Sequence, residues 1–266
     1  MLRYFIYFNF FLTINHQLIM KILGYFSIVL ILLFGLNSVY AQQTSGIVKY
    51  KGVINEEFRN NSLEEFKKKK DVSPAIRKQV VAMFLDVEED NYELHFKGQE
   101  SYLHYIEKLK NENDGPSFGS KAGIYDFYVN LDDKKIVEKT SMTGLLNYEA
   151  ISWEVKNESK EIGDYKCFKA EGIEKKYLRD GKIEEEPVVA WFAPEIPLQF
   201  GPHNYNGLPG LILRIDKKEF SIIATEIMLN PEEKIKIDPV KDDAKIRSRK
   251  EAYQMVTEYY NDTYGN

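Results

Sequence analysis

The stretch Gly207-Leu208-Pro209-Gly210-Leu211-Ile212-Leu213 sets two glycines and a proline directly against an apolar run. Glycine reaches positive φ without steric cost, and Pro209 holds its own φ near about −65°. Leu208, which precedes the proline, is pushed to extended backbone. Together these predict a rigid bend that delivers residues 211–215 into a sheet as a strand. Upstream, Ala190-Trp191-Phe192-Ala193-Pro194-Glu195-Ile196-Pro197 and then Gly201-Pro202 place five of the chain's nine prolines between Pro187 and Pro209. Downstream, Leu211, Leu213 and Ile215 alternate, Lys217-Lys218 turns the chain, and 220–229 runs back as the second arm of a hairpin.

The same period of two recurs on the N-terminal side. Val48, Tyr50 and Ile54 point one way, Lys49 and Lys51 the other. Tyr92, Leu94 and Phe96 alternate with Glu93, His95 and Lys97, and a turn near Gly98 leads to a strand over 102–106. Phe127 and Val129 share a face with Tyr125 and Leu131, and Asp132-Asp133 turns into a strand over 134–140. Strands are also expected around Trp153, over 163–173 and over 188–192, with Asp180-Gly181 as a hairpin turn. Residues 108–121 form a polar, patternless loop, the best candidate for disorder. Residues 230–246 are charged and extended.

Helices interrupt this pattern in three places. Ser62-Leu63-Glu64-Glu65 reads as a capping box opening a short helix to about Lys70. Lys67–Lys70 then becomes its solvated end, favourably placed for the helix dipole. Ser73-Pro74 supplies an N-cap and a first-turn proline for a helix over 74–85. Ser248-Arg249-Lys250-Glu251 is a second capping box, followed by Ala252, Val256 and Tyr259-Tyr260 on one face. Nine or ten short strands joined by hairpin-length links predict a β-rich α+β fold: a curved, half-barrel-like antiparallel sheet with a few covering helices.

The chain has 266 residues, but the first 41 contain no acidic residue and only Arg3 and Lys21 as charges. Lys21, an apolar core over 22–36 and Val39-Tyr40-Ala41 have the grammar of a secretory signal starting at Met20 and cleaved before Gln42. The expectation is therefore an N-terminal segment with signal over 1–41 and a single domain over 42–266. A retained membrane anchor is the competing reading, opposed by the short apolar core and the cleavage site. No cysteine follows the signal, so a lipid anchor of the bacterial lipoprotein type is not expected. The single cysteine, Cys167, allows no internal disulfide in an exported chain and reads as a small buried residue. A net charge of −5 without a concentrated basic face argues against nucleic acid as a partner.

The motif, taken with Trp153, Ile162-Gly163-Asp164-Tyr165-Lys166-Cys167-Phe168-Lys169-Ala170 and the proline-rich segment, resembles the GLPGLI family of secreted proteins, known chiefly from Bacteroidetes. The resemblance covers roughly residues 145–220 and implies export. It implies no catalytic residues, because the family's biochemical role is undefined. The segment is also loosely similar to the end of periplasmic lipoprotein-carrier folds, which have a Trp-bearing strand and a Pro-Leu-Pro-type turn. Those carriers lack a Gly-Leu-Pro-Gly turn and the early helical insert.

No catalytic constellation emerges. There is no GxSxG, no phosphate-binding glycine loop and no EF-hand spacing. His203 has no second metal ligand at workable spacing. A Cys167–His203 pair lacks an orienting third group, and Glu195 lacks a paired carboxylate. No cofactor is expected. The residues around the bend can serve two ends. Gly207, Leu208, Pro209, Gly210, Leu211 and Ile212 can be architecture alone. Alternatively, Phe200, His203, Tyr205 and Leu208 can form the rim of a binding pocket beside Trp191. The sequence thus favours a non-enzymatic envelope protein binding an apolar small molecule, a peptide or an outer-membrane protein. The alternative is a structural protein docking a partner through a sheet edge or the GLPG hairpin, and a hydrolase ranks behind both.

Overall fold

Alternation along the strands builds one 12-stranded sheet. The computed structural model describes residues 44–108, 119–140, 144–178, 182–237, 239–241 and 243–264. The segment read as a signal, most of the polar loop after Lys108 and the Asp180-Gly181 turn lie outside the described residues. Residues from Thr44 onward form one compact unit.

The strands run β1 (Ser45–Ile54), β2 (Asp90–Lys97), β3 (Glu100–Ile106), β4 (Asp126–Asn130), β5 (Lys135–Thr140) and β6 (Gly144–Asn147). They continue with β7 (Glu154–Ile162), β8 (Tyr165–Tyr177), β9 (Ile183–Ala193), β10 (Leu211–Asp216), β11 (Phe220–Leu229) and β12 (Ile246–Ser248). Among the described residues three helices accompany them: α1 (Glu56–Lys68), α2 (Pro74–Leu85) and α3 (Arg249–Tyr264). The spatial order is β12-β6-β5-β4-β3-β2-β1-β11-β10-β9-β8-β7. Two antiparallel meanders, β2 to β6 and β7 to β11, are thus joined through β1, which pairs with β2 on one side and β11 on the other. Among the described residues only the pairing of β12 on β6 is parallel. The sheet is curved and unclosed, so β12 and β7 remain as its two ends.

The predicted faces hold except at Tyr125. Val48, Tyr50, Tyr92, Leu94 and Phe96 are buried, as are Phe127 and Val129, whereas Tyr125 is exposed. Helix α2 matches its predicted bounds, with Ser73 Oγ accepting from the Ile76 amide. At α3, Ser248 and Glu251 make both bonds of the capping box. Helix α1 begins earlier than the sequence pattern indicates. Asn55 caps it by accepting from the Glu57 and Phe58 amides, which places Ser62 inside the helix. Lys67 and Lys68 do occupy its last turn. Helices α1 and α2 pack together through Phe66 and Phe84, 6.4 Å apart.

The concave face is filled by the chain itself. Residues 194–210 leave β9, enter the curve of the sheet and return as β10. Ile196, Leu198, Phe200, Tyr205 and Leu208 join the same core cluster as Tyr50, Tyr92 and Phe96. Backbone bonds fix the insert: the Leu211 amide donates to Ile196 O at 2.9 Å, Ile212 to Phe200 O at 2.9 Å and Gly207 to Gln199 O at 2.9 Å. The first part of β10 does not pair with β11, which joins it only from Arg214 to Asp216. Tyr50 compensates from β1, its hydroxyl donating to Ile212 O at 2.7 Å. The bend at the opening motif is therefore the return limb of an internal plug as well as the entry to a hairpin.

Candidate functional site

Four of the five residues read as a binding rim come together, but in the interior. Phe200, His203, Tyr205 and Leu208 are all buried. Phe200 packs on Phe96 at 6.0 Å. His203 adopts φ 52°, a left-handed conformation uncommon outside glycine, and its ring stacks on Phe127 at 5.2 Å and meets Tyr92 edge-on at 5.1 Å. Burial pushes the His203 imidazole down to about 4, so it is neutral at pH 7. Its buried Nε2 has no hydrogen-bond partner.

Trp191 stands apart. It lies between buried Ala190 and Phe192, so its side chain projects from the opposite face of β9. There its indole N–H donates to Asp216 Oδ2 at 3.2 Å, and Lys160 Nζ sits 3.8 Å above its ring. The other residues weighed for chemistry are also dispersed. Glu195 is exposed. Cys167 is fully buried, and burial raises its thiol to about 11, which suppresses the thiolate. Among the described residues no group of His, Cys, Asp and Glu is arranged to hold a metal ion.

A cleft lies at the seam between the two ends of the sheet. Its volume is about 730 Å³. The walls are the connection after β6 (149–152 and Glu154), residues 171–175 of β8, residues 187–189 of β9, and the side chains of Asn204 and Arg249. The connection is held close because β8 carries Gly172 there. A Cβ at Gly172 would stand 2.6 Å from Ile151 Cγ2 and 3.0 Å from the Trp153 ring. Trp153 is anchored in turn by its indole N–H to Asn206 O at 2.9 Å.

The cleft wraps an edge. Strand β7 pairs with β8 only from Tyr165 to Glu171, whereas β9 pairs with β8 as far as Tyr177. From Gly172 to Tyr177 the outer side of β8 therefore has no partner strand among the described residues. The lining includes Gly172 and Glu174 from one face of β8 and Ile173 and Lys175 from the other. Ile173 is 52% exposed.

A buried polar network underlies the cleft. Glu174 accepts from Tyr205 Oη at 3.0 Å and Lys217 Nζ at 2.6 Å, and Lys217 also contacts Glu186 at 2.8 Å. Burial, with Glu174 beside it, raises the Tyr205 phenol well above its usual value, so it stays a donor. Farther along the seam, Tyr148 donates to Glu138, whose carboxyl is raised by burial against the pull of that bond and of Arg249. Arg249 lies 4.2 Å over the Tyr148 ring and 5.2 Å from the Tyr177 ring. The sequence reading missed Glu174, Lys217 and Arg249. Arg249 sits inside the recognised capping box, but nothing local in that pattern indicates a cleft.

A smaller cavity of about 400 Å³ lies over the outer face of β3 to β6, beneath Lys236, residues 239–241 and Ala244. Tyr102 and His104 line it, their rings 4.2 Å apart. Burial lowers the His104 imidazole, and so does the charge of His95, 5.8 Å away.

Fold and site define a class: an open, curved antiparallel β protein, plugged on its concave side and cleft at its seam. A family model described as "Protein of unknown function (Porph_ging)" matches residues 153–214, from the anchored tryptophan through β7, β8, β9 and the plug into β10. No curated protein matches. Two solved structures of PNGF-II, in C2 and P21 space groups, are similar at a TM-score of 0.42, with 11% and 12% identity. They cover 81% and 80% of this chain but 33% of their own, so the chain spans about a third of their length.

Proposed function

We propose that this chain is an exported, non-enzymatic binding protein of the GLPGLI type that takes up an extended peptide segment as an added strand on β8. One observation carries the reading: the edge from Gly172 to Tyr177 has no partner strand among the described residues and borders the seam cleft. An unpaired edge offers a row of backbone donors and acceptors, and flanking pockets then select alternate side chains. Here the flanks are Ile173 and the apolar floor of Gly172, Val188 and Ile151. The cleft volume falls within the usual range for ligand sites. An apolar ligand held in the concave face is less well supported, because residues 194–210 occupy it. Docking through the GLPG bend is likewise disfavoured, since Leu208 is 2% exposed.

Two measurements test this. Amide hydrogen exchange of the full chain, with and without a pool of random hexapeptides, is expected to slow at residues 172–177. Protection confined to another edge, or none, would count against strand addition. For export, N-terminal sequencing of protein recovered from the cell envelope is expected to begin at Gln42; a start at Met1 or Met20 would overturn signal cleavage.

A further inference from the structure

The charges in the seam cleft are unevenly satisfied. Each of its carboxylates already has a cation. Glu149 meets Lys175 at 3.1 Å and Glu154 meets Lys156 at 2.7 Å. Glu171 meets Lys169 at 2.9 Å, and Glu174 meets Lys217 at 2.6 Å. Arg249 differs. Among the described residues no carboxylate lies within ion-pair distance of it, and its Nε is out of solvent with no hydrogen-bond partner. Its contacts are the faces of Tyr148 and Tyr177, which orient a planar guanidinium without using its donors. A planar fork of donors held beside two aromatic rings matches a carboxylate in two-point contact.

The position of Arg249 favours a chain end over a passing chain. It opens α3, and that helix closes the cleft beyond it. Ala252 is 1% exposed, and Tyr253 packs on Tyr177 at 5.8 Å. A peptide that runs parallel to β8 toward Tyr177 brings its carboxyl end toward the Arg249 guanidinium, which lies 5.2 Å from the Tyr177 ring.

We propose that Arg249 receives the C-terminal carboxylate of the peptide that adds to β8, so that the cleft reads peptide tails. This rests on the strand-addition reading above and narrows its ligand to a free carboxyl terminus.

The test uses fluorescence anisotropy with the full chain and a fluorescein-labelled hexapeptide of alternating threonine and valine. The peptide is made as the free acid, as the C-terminal amide, and as an amide with an internal aspartate. The free acid is expected to bind at least tenfold more tightly than either amide. In Arg249→Gln the acid is expected to fall to the level of the amide, with Arg249→Lys retaining part of the preference. Equal binding of acid and amide by the unaltered protein would overturn the carboxylate role while leaving strand addition standing. Equal binding of the internal-aspartate amide and the acid would overturn the chain-end assignment. A preference that survives Arg249→Gln would overturn Arg249 as the receptor. Binding of none of the peptides would count against strand addition itself. The acid-to-amide comparison needs no variant, so it decides the point even if Arg249→Gln does not fold.

Discussion

Gly207 and Gly210 look alike in the sequence and serve different ends in the fold. Gly207 has φ 89°, and a Cβ there would meet nothing within 4 Å. Its requirement is conformational. Gly210 does not have positive φ, but a Cβ there would stand 2.4 Å from Ala193 O and 2.6 Å from its carbonyl carbon. Its requirement is close backbone approach, where the plug returns against the end of β9. Alanine at Gly207 is expected to cost about 1–2 kcal/mol, the left-handed penalty of an L-residue. Alanine at Gly210 must move backbone in a packed interior and is expected to cost about 3 kcal/mol or more. Urea unfolding of the two variants checks this; an equal or reversed order would mean that the bend, not the contact, dominates. Spacing alone cannot separate the two cases, because a glycine's neighbours across the fold are not written beside it.

Lys217 shows how single charges tie elements together. It follows β10, yet it reaches Glu174 on β8 and Glu186 on β9 and is only 11% exposed as a side chain. Glu174 also holds Tyr205 of the plug at 3.0 Å. Removing the cation leaves Glu174, 12% exposed as a side chain, without its cation and beside Glu186, which keeps Lys176 at 2.8 Å. Lys217→Met is therefore expected to destabilise by about 3–5 kcal/mol. Glu174→Gln, which can keep a hydrogen bond to Tyr205, is expected to cost less. Thermal or urea unfolding of both checks the order, and a near-neutral Lys217→Met would show that the network is wet. These links also explain what the sequence could reveal. Period-two faces, the Ser73-Pro74 start and the Ser248–Glu251 capping box are local, and each appears where its residues predict it. Helix α1 was displaced because the pattern at Ser62 also fits a helix interior, while the true cap, Asn55, bonds back to amides two and three residues on. Phe200, Tyr205 and Leu208 suggested a rim because an aromatic residue reads the same in a rim as in a core. Only long-range closure buries them, and the same closure brings Arg249 to Tyr148 and Tyr177.

For the molecule as a whole, an open sheet is held in shape by its plug, and the plug has an acid-sensitive point. His203 is enclosed by Phe127, Tyr92 and Tyr205, 5% exposed, with its imidazole lowered to about 4 from an ordinary value near 6.5. Desolvation is the main cause, and the field of Lys217 adds to it against that of Glu174. Unfolded chain binds a proton here that folded chain refuses. Stability is thus fully present above about pH 6.5 and falls as the pH drops toward 4, by about 3 kcal/mol in all. Glu138 acts in the opposite sense, since burial raises its carboxyl and folded chain holds that proton more firmly. His203→Phe separates the two. Phenylalanine keeps the ring packing, shares the backbone cost of φ 52° and removes both the titration and the orphaned Nε2. At pH 7 the variant is expected to match the natural protein or to exceed it by about 1 kcal/mol, because a buried unpaired polar atom is gone. Between pH 6.5 and 4 its urea midpoint is expected to fall less steeply, with one fewer proton taken up on unfolding. Parallel slopes for the two proteins would place the acid sensitivity elsewhere in the sheet. A flattened slope would identify the plug as the part of the fold that acid loosens first.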